Sequence, residues 1–284
     1  MNNTELDPAY ARRLALDPSA LSAEVRSLKS RVASVVGVSQ PGRFLPGVTV
    51  VIPTYQGVER IAQTLASLEA QDLPPAKFEV LVVPNGPDDG TSELLRAFLQ
   101  TTHLNLRVLA SPVASAGAAR NVAVCAARYE YVTFVDDDDS VGVSFLSSML
   151  QASHLADVVM APIVNVTADG IREEDNALNT RIVKLRGKVV PVREAFWALG
   201  FNACKLVPTS LAQRTRYRTD LRSGEDLVYF AHLLQIEDLT LTTAPARPSC
   251  AYERTLRDDS ISRRKSGIEF SVIERLACMR ALAE

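Results

Sequence analysis

The sequence predicts an α/β fold built on a mostly parallel sheet with helices on both faces, and three observations carry that reading. From residue 48 onward, short apolar runs alternate with amphipathic ones. Strands spaced by helices join a sheet in parallel, because a parallel neighbour is reached through a crossover. The unusual polar clusters Pro53-Thr54-Tyr55, Asn85-Gly86 and Asp136 to Asp139 each follow an apolar run, which is where ligands sit in such sheets. A chain of 284 residues with 47% hydrophobic content also buries enough apolar surface to fold without disulfides or a structural metal.

Residues 1 to 45 are expected to form a helical extension, with Leu21, Val25, Leu28, Val32 and Val35 at spacings of four and three before Gly37 and the Pro41-Gly42 breaker. Two heptads are too few for an independent coiled coil, so this stripe is expected to pack on the main domain, with pairing into a homo-oligomer as the alternative. The main domain is placed over residues 46 to 250. Its strands are expected at 48–52, 78–83, 106–109, 131–135 and 158–164, and its helices at 61–68, 94–99, 116–127, 145–150, 193–199 and 227–234. Residues 172 to 190 are charged and lack periodicity, and read as a mobile loop lining a cleft. Residues 251 to 284 form a terminal segment whose helix carries Val272, Ile273, Leu276 and Met279 on one face. The helical pattern reaches Glu284 without a capping Gly or Pro, as in a piece of a longer protein.

Composition removes several classes of function. The 31 basic and 33 acidic residues are well mixed and sum to −2, which leaves no electrostatic footprint for nucleic acid. Cys125, Cys204, Cys250 and Cys278 form no CxxC pair, and His103, His154 and His232 stand alone. Zinc sites and disulfide frameworks are therefore not expected, and a reducing cytoplasm is the natural setting. The polar start Met1-Asn2-Asn3-Thr4-Glu5 is unlike a signal peptide, and no apolar stretch approaches the roughly 18 to 20 residues that span a bilayer. At most peripheral contact with the inner face of a membrane is expected.

Four consecutive aspartates, Asp136 to Asp139, follow the apolar run Tyr131-Val132-Thr133-Phe134-Val135. Carboxylates are the ligands hard cations prefer, so this strand end is a candidate site for Mg²⁺ or Mn²⁺. A solvated acidic turn is the plain alternative. An EF-hand is excluded, because from Asp137 the fifth and twelfth loop positions are Val141 and Ser148. Neither a dinucleotide G-x-G-x-x-G nor a Walker A loop follows the first strand. A nucleotide can still be held there, with Pro53, Thr54, Tyr55 and Asn85 gripping the base and a metal neutralising the diphosphate. Tyr55 offers a stacking face, or else packs on the helix at Ile61. A second acidic pair, Glu225-Asp226, follows Ser223-Gly224 and opens a helix. It reads either as helix capping or as a general base acting opposite the metal diphosphate.

The segments Val48-Thr-Val-Val-Ile-Pro-Thr-Tyr-Gln56, Ala119-Arg120-Asn121, Phe134-Val-Asp-Asp-Asp-Asp139, Lys205-Leu206 and Gly224-Glu225-Asp226 together resemble, in order and spacing, family 2 glycosyltransferases of the Rossmann-like GT-A fold. The resemblance spans about residues 48 to 262, and Tyr252-Glu-Arg254 with Ser260-Ile-Ser262 is similar to the closing segment of members that build bacterial capsular polysaccharides and wall teichoic acids. It implies inverting transfer of a sugar from a nucleotide diphosphate to an acceptor hydroxyl on a glycan or a lipid-linked carrier. It also implies that Asp136, with Asp137 beside it, binds the donor, that Asp138 and Asp136 hold Mn²⁺ or Mg²⁺, and that Arg120 lies near the nucleotide. By the same match Asp226 is the base and Glu225 orients the acceptor or the base. Where members of the family carry two aspartates after the second strand, this chain has Pro84-Asn85. An amide can still accept a bond from a uracil edge, so a UDP-sugar remains the expected donor.

Lys205, Arg254, Ser260, Ser262 and Arg263 are further candidates for acceptor or diphosphate contacts. Arg263-Arg264-Lys265 reads either as a solvated turn or as a contact for a diphosphate or an anionic lipid carrier. Trp197 is a core residue or a sugar platform. Two rival readings remain. In a haloacid-dehalogenase-like phosphohydrolase, Asp136-x-Asp138 would follow the first strand. The other rival is a glycan or sugar-nucleotide binding module that kept the fold and lost the chemistry.

Overall fold

The structure is a computed structural model and describes residues 44–221, 223–236, 238–256 and 274–283. Residues 1–43 of the expected N-terminal extension, the 260–265 segment, and Val272 and Ile273 of the expected terminal stripe lie outside the described residues, and Leu45 belongs to the first strand.

The strands of the main sheet are β1 (Leu45–Thr54), β2 (Phe78–Pro84), β3 (Leu106–Val108), β4 (Tyr129–Phe134), β6 (Val158–Met160), β9 (Val190–Pro191), β10 (Lys205–Pro208) and β11 (Thr240–Thr243). Their order is β3-β2-β1-β4-β10-β6-β11-β9. The half built from β3, β2, β1 and β4 is parallel throughout. Val48 to Thr54 of β1 and Phe78 to Val83 of β2 are buried at every position. Burial at consecutive residues means both faces of the sheet are covered. Helices α1 (Ile61–Glu69), α2 (Thr91–Phe98), α3 (Ala116–Ala126) and α4 (Phe145–Ala152) provide the crossovers and cover, with α3 against β1 and β2 and α4 against β1, β6 and β11.

The chain moves outward from β1 to β2 to β3, then returns to place β4 on the other side of β1. That reversal opens a crevice between the carboxyl ends of β1 and β4, the position where open α/β sheets hold ligands. Beyond β4 the sheet is mixed: β10 runs antiparallel between β4 and β6. A second sheet contains β5 (Ser140–Val141), β12 (Tyr252–Thr255), β7 (Ile163–Val166) and β8 (Arg172–Glu173), in that order. Tyr252 pairs with Val141 and Ile163, which fastens the terminal segment beside the acidic loop.

Four local expectations are corrected. The single strand expected over 158–164 divides at Ala161-Pro162, and β6 and β7 enter different sheets, because Pro162 has no amide hydrogen to continue a ladder. The loop expected over 172–190 contains β8, the helix α5 (Ala177–Lys184) and β9. Asn176 caps that helix by accepting from the Leu178 and Asn179 amides, and Ile182 is its buried residue, so it carried almost no apolar period. The helix expected over 193–199 is 3₁₀, broken at Ala195. In the terminal helix α8 (Arg275–Ala283), Leu276 and Met279 are exposed, while Cys278 and Ala281 pack against Leu221 and Val228. Among the described residues no helix is long and apolar enough to cross a membrane.

Candidate active site

The acidic loop divides its four carboxylates between fastening the crevice and facing it. Thr54 Oγ1, at the end of β1, donates to Asp137 Oδ2 at 2.6 Å, and Arg60 Nη2 reaches the same oxygen at 3.2 Å while donating to the Tyr55 carbonyl at 3.0 Å. Asp137 therefore latches the two strand ends together. Gly57 lies against this latch: a Cβ there would stand 2.1 Å from Thr54 Oγ1 and 2.5 Å from Asp137 Oδ2.

Asp139 points into the fold. Its carboxylate accepts from the Tyr252 hydroxyl at 2.6 Å and from the Thr255 amide at 2.7 Å. Burial, then the charges of Asp136 and Asp138, hold its pKa well above the usual carboxylate range, against the bonds from Tyr252 and Thr255. The Tyr252 hydroxyl in turn accepts from the Asp136 amide at 3.1 Å. Asp136 and Asp138 are half-buried, so each keeps part of its surface open. Among the described residues no group of three or more His, Cys, Asp or Glu side chains is arranged to hold an ion. Mg²⁺ is commonly held by one or two carboxylates together with substrate phosphate oxygens and water, so Asp136 and Asp138 would be a sufficient protein contribution.

Arg120 joins this loop to the second acidic pair. It lies on α3, which Ser115 caps by accepting from the Ala118 amide, and is 5% exposed. Nη2 meets Asp136 Oδ1 at 3.1 Å and Nη1 meets Glu225 Oε1 at 2.8 Å. Burial works against its charge, but Asp136 and Glu225 outweigh it and raise the pKa further. Tyr217 lies beneath the guanidinium, 5.6 Å from ring centroid to Cζ, and stacks on Tyr229 at 3.8 Å. Asn121 clasps the Tyr217 backbone through both its amide groups. The Ala119-Arg120-Asn121 motif thus fixes one guanidinium between two carboxylates.

Glu225 and Asp226 open the helix α7 (Glu225–Ile236). Gly224 holds φ +81°, a conformation that glycine adopts without penalty, and its carbonyl lies 3.8 Å from Cys278 Sγ of α8. Asp226 Oδ1 accepts from the Leu227 amide at 2.8 Å. Burial first, and then the neighbouring Glu225 charge, push the Asp226 carboxyl up to about 6, against the Leu227 bond and the charges of Lys205 and Arg120. A carboxyl titrating there is matched to accepting a proton near neutral pH.

Tyr55 is 48% exposed, and its ring lies over Gly86, where an added Cβ would meet the ring at 2.5 Å. About half of the Tyr55 surface is open. Pro53 is buried in β1. Asn85, 5% exposed, donates its backbone amide and its Nδ2 to the Thr54 carbonyl, each at 2.9 Å. Arg254 donates from Nε and Nη2 to Asn165 Oδ1. Lys205 is 2% exposed and is withdrawn from the surface, which corrects its expected direct contact with an acceptor or diphosphate. Ser260, Ser262 and Arg263 lie outside the described residues. Trp197 is half-buried beneath the Arg181 guanidinium.

Arg60 and the Asp139–Tyr252 bond were not anticipated as parts of the site. A cation six residues after the strand end was the available signal for Arg60; for Asp139 no local signal exists, since its role depends on a partner 113 residues away. The acidic loop follows the fourth strand in chain order, not the first as a haloacid-dehalogenase-like site requires.

Comparison with known proteins places this geometry among relatives. The family model described as Glycosyl transferase family 2 matches residues 49–201. The poly(ribitol-phosphate) beta-N-acetylglucosaminyltransferase TarS of Staphylococcus aureus is 28% identical over 204 residues, covering 68% of this chain and 31% of that protein. A poly(ribitol-phosphate) beta-glucosyltransferase of Bacillus spizizenii is 26% identical over 189 residues, covering 64% of this chain and 28% of that protein. The chain thus spans about a third of the length of these curated relatives. The crystal structure of S. aureus TarS 1-349 in complex with UDP-GlcNAc superposes with a TM-score of 0.63 at 24% identity, covering 81% of this chain and 65% of that one. At that identity the likeness establishes the fold.

Proposed function

The chain belongs to glycosyl transferase family 2, and from that premise we propose that it transfers a sugar from a nucleotide diphosphate donor, a UDP-sugar, to a hydroxyl of a bacterial cell-envelope glycan or its lipid-linked precursor, with inversion. The observation that carries this reading is the placement of Arg120 between Asp136 and Glu225. Through that one guanidinium, a diphosphate-binding strand end and a helix-borne general base form a single site. TarS structures carry UDP and UDP-GlcNAc, which supports the choice of nucleotide.

In the proposed reaction the nucleobase lies against the exposed Tyr55 ring. With its Nδ2 bound to the Thr54 carbonyl, Asn85 presents its carbonyl oxygen to the base edge. Asp136 and Asp138 would hold Mg²⁺ or Mn²⁺, whose chemistry is to neutralise charge on the departing diphosphate. Asp226 takes the proton of the acceptor hydroxyl as that oxygen bonds to the anomeric carbon, and the bond from carbon to the diphosphate oxygen breaks on the opposite face. Glu225, fixed by Arg120, orients the acceptor. Having all these parts in one crevice favours catalysis over a binding module.

The test is UDP titration calorimetry with and without Mn²⁺ on the wild type and on Asp138→Ala. The wild type should bind UDP sharply better with the ion, and the variant should lose that gain. Equal metal-dependent affinity in both would overturn the assignment of the acidic loop.

A further inference from the structure

Lys205 is a charged residue in a place built for apolar ones. It opens β10 in register with Met160, and Leu206 after it pairs with Thr133 of β4, just before the acidic loop. The residue before it, Cys204, holds φ +61°, a left-handed conformation that side chains with a Cβ seldom adopt and that marks functional segments more often than others. Lys205 Nζ has no hydrogen-bond partner among the described residues. It stands 3.9 Å from the centroid of the Phe230 ring. A buried ammonium with no hydrogen bond is costly, and a ring face repays that cost in part. Phe230 lies four residues after Asp226, so the two share one face of α7 a turn apart.

We infer that Lys205 is a positioning residue for the proposed base, a buried cation against Phe230 of α7, one turn from Asp226, that holds the Asp226 carboxylate ionised. The inference rests on the reading of Asp226 as that base. Asp226 faces Glu225 beside it, Arg120 from α3, Lys205 from β10, the Tyr217 hydroxyl and the Cys278 thiol of α8, and Lys205 faces Asp226 and the Cys204 thiol. Burial pushes both Tyr217 and Cys278 up, which keeps them neutral. Burial pushes the Cys204 thiol up to about 12, so it is neutral. Burial lowers Lys205 to about 8, opposed by Cys204 and Asp226. Between about 6 and about 8 the carboxylate and the ammonium are therefore both charged. That window is where a base must be ionised before the acceptor arrives. Glu225 works in the opposite sense by repulsion, and Lys205 offsets it.

The experiment is a carboxyl titration on protein carrying ¹³C at aspartate Cγ, with the Asp226 signal assigned by its loss in Asp226→Asn. In Lys205→Met, which keeps the length of the chain and removes the charge, the Asp226 midpoint should rise by about one unit, the low end of what an adjacent opposite charge contributes. Lys205→Gln should move it in the same direction, and serves if the Met variant does not fold. An unmoved midpoint in a folded variant overturns the inference. Release of UDP from UDP-GlcNAc by Asp226→Asn at the wild-type rate would instead overturn the base assignment, and the titration would still report whether Lys205 acts on the carboxylate.

Discussion

Replacing Asp226 by Asn should make the protein more stable and far less active, and the stability gain should depend on pH in a defined way. The carboxyl is raised from 3.8 to about 6, mainly by burial and by Glu225. A group raised on folding contributes stability that is complete below its unfolded pKa and is lost as pH rises through its folded pKa. Above pH 7 the wild type therefore carries the full cost of an ionised, poorly solvated carboxylate. At 1.36 kcal/mol per unit, a shift of roughly two units is about 3 kcal/mol. Asn keeps the shape and the acceptor for the Leu227 amide but has no proton to lose. Urea unfolding at pH 7.5 should show the variant more stable by up to about 3 kcal/mol, shrinking to about half of that at pH 5. Turnover should fall by about 10² to 10⁴, with donor affinity little changed. A stability difference that is constant with pH, or that grows as pH falls, would refute the claim that Asp226 is held in a strained charge state. If the Asn variant transfers sugar within a fewfold of wild type while Glu225→Gln is inactive, the two carboxylates exchange roles.

Two further perturbations test the frame around that base. Arg120→Met removes the cation shared by Asp136 and Glu225 and should destabilise the fold by about 3 to 5 kcal/mol, as breaking a buried ion pair does; a loss below about 1 kcal/mol by urea unfolding would mean the bridge is not formed in solution. Gly57→Ala puts a methyl 2.1 Å from Thr54 Oγ1, so it should force open the Thr54–Asp137 latch and weaken UDP binding by calorimetry, at a stability cost of about 1 to 3 kcal/mol. Unchanged UDP affinity in that variant would show that the latch does not shape the nucleotide pocket.

The parallel half of the sheet was legible because strands covered on both faces must be apolar at consecutive positions, as in Val48 to Ile52 and Phe78 to Val83. The mixed half was not. β10 begins with a buried lysine that looks like a surface residue, and α5 has one buried residue, too few to set a period. Within the site, residue types were legible and their division of labour was not. Four adjacent aspartates are chemically identical in sequence. Asp137 meets Thr54 and Arg60 while Asp139 meets Tyr252 and Thr255 because of where each side chain leaves the loop relative to β1 and β12. Such contacts span 77 to 116 residues and leave no local pattern to read.

Arg120 shows how a motif residue can be committed to the protein itself. An arginine near a nucleotide suggests a contact with phosphate, yet here both terminal nitrogens already hold carboxylates, and the Nε nitrogen is buried without a partner. The guanidinium therefore acts first on the protein. Its planar fork carries five donors in fixed directions, so it can meet Asp136 and Glu225 at once, whereas an ammonium is a point charge that favours one carboxylate over the other. Neutralising one acidic residue from each half of the site lets the two halves approach without mutual repulsion. Beside this bridge Asp226 is raised to about 6 by burial and by Glu225, and in the proposed reaction a proton acceptor poised near neutrality is what a one-step displacement at an anomeric carbon requires.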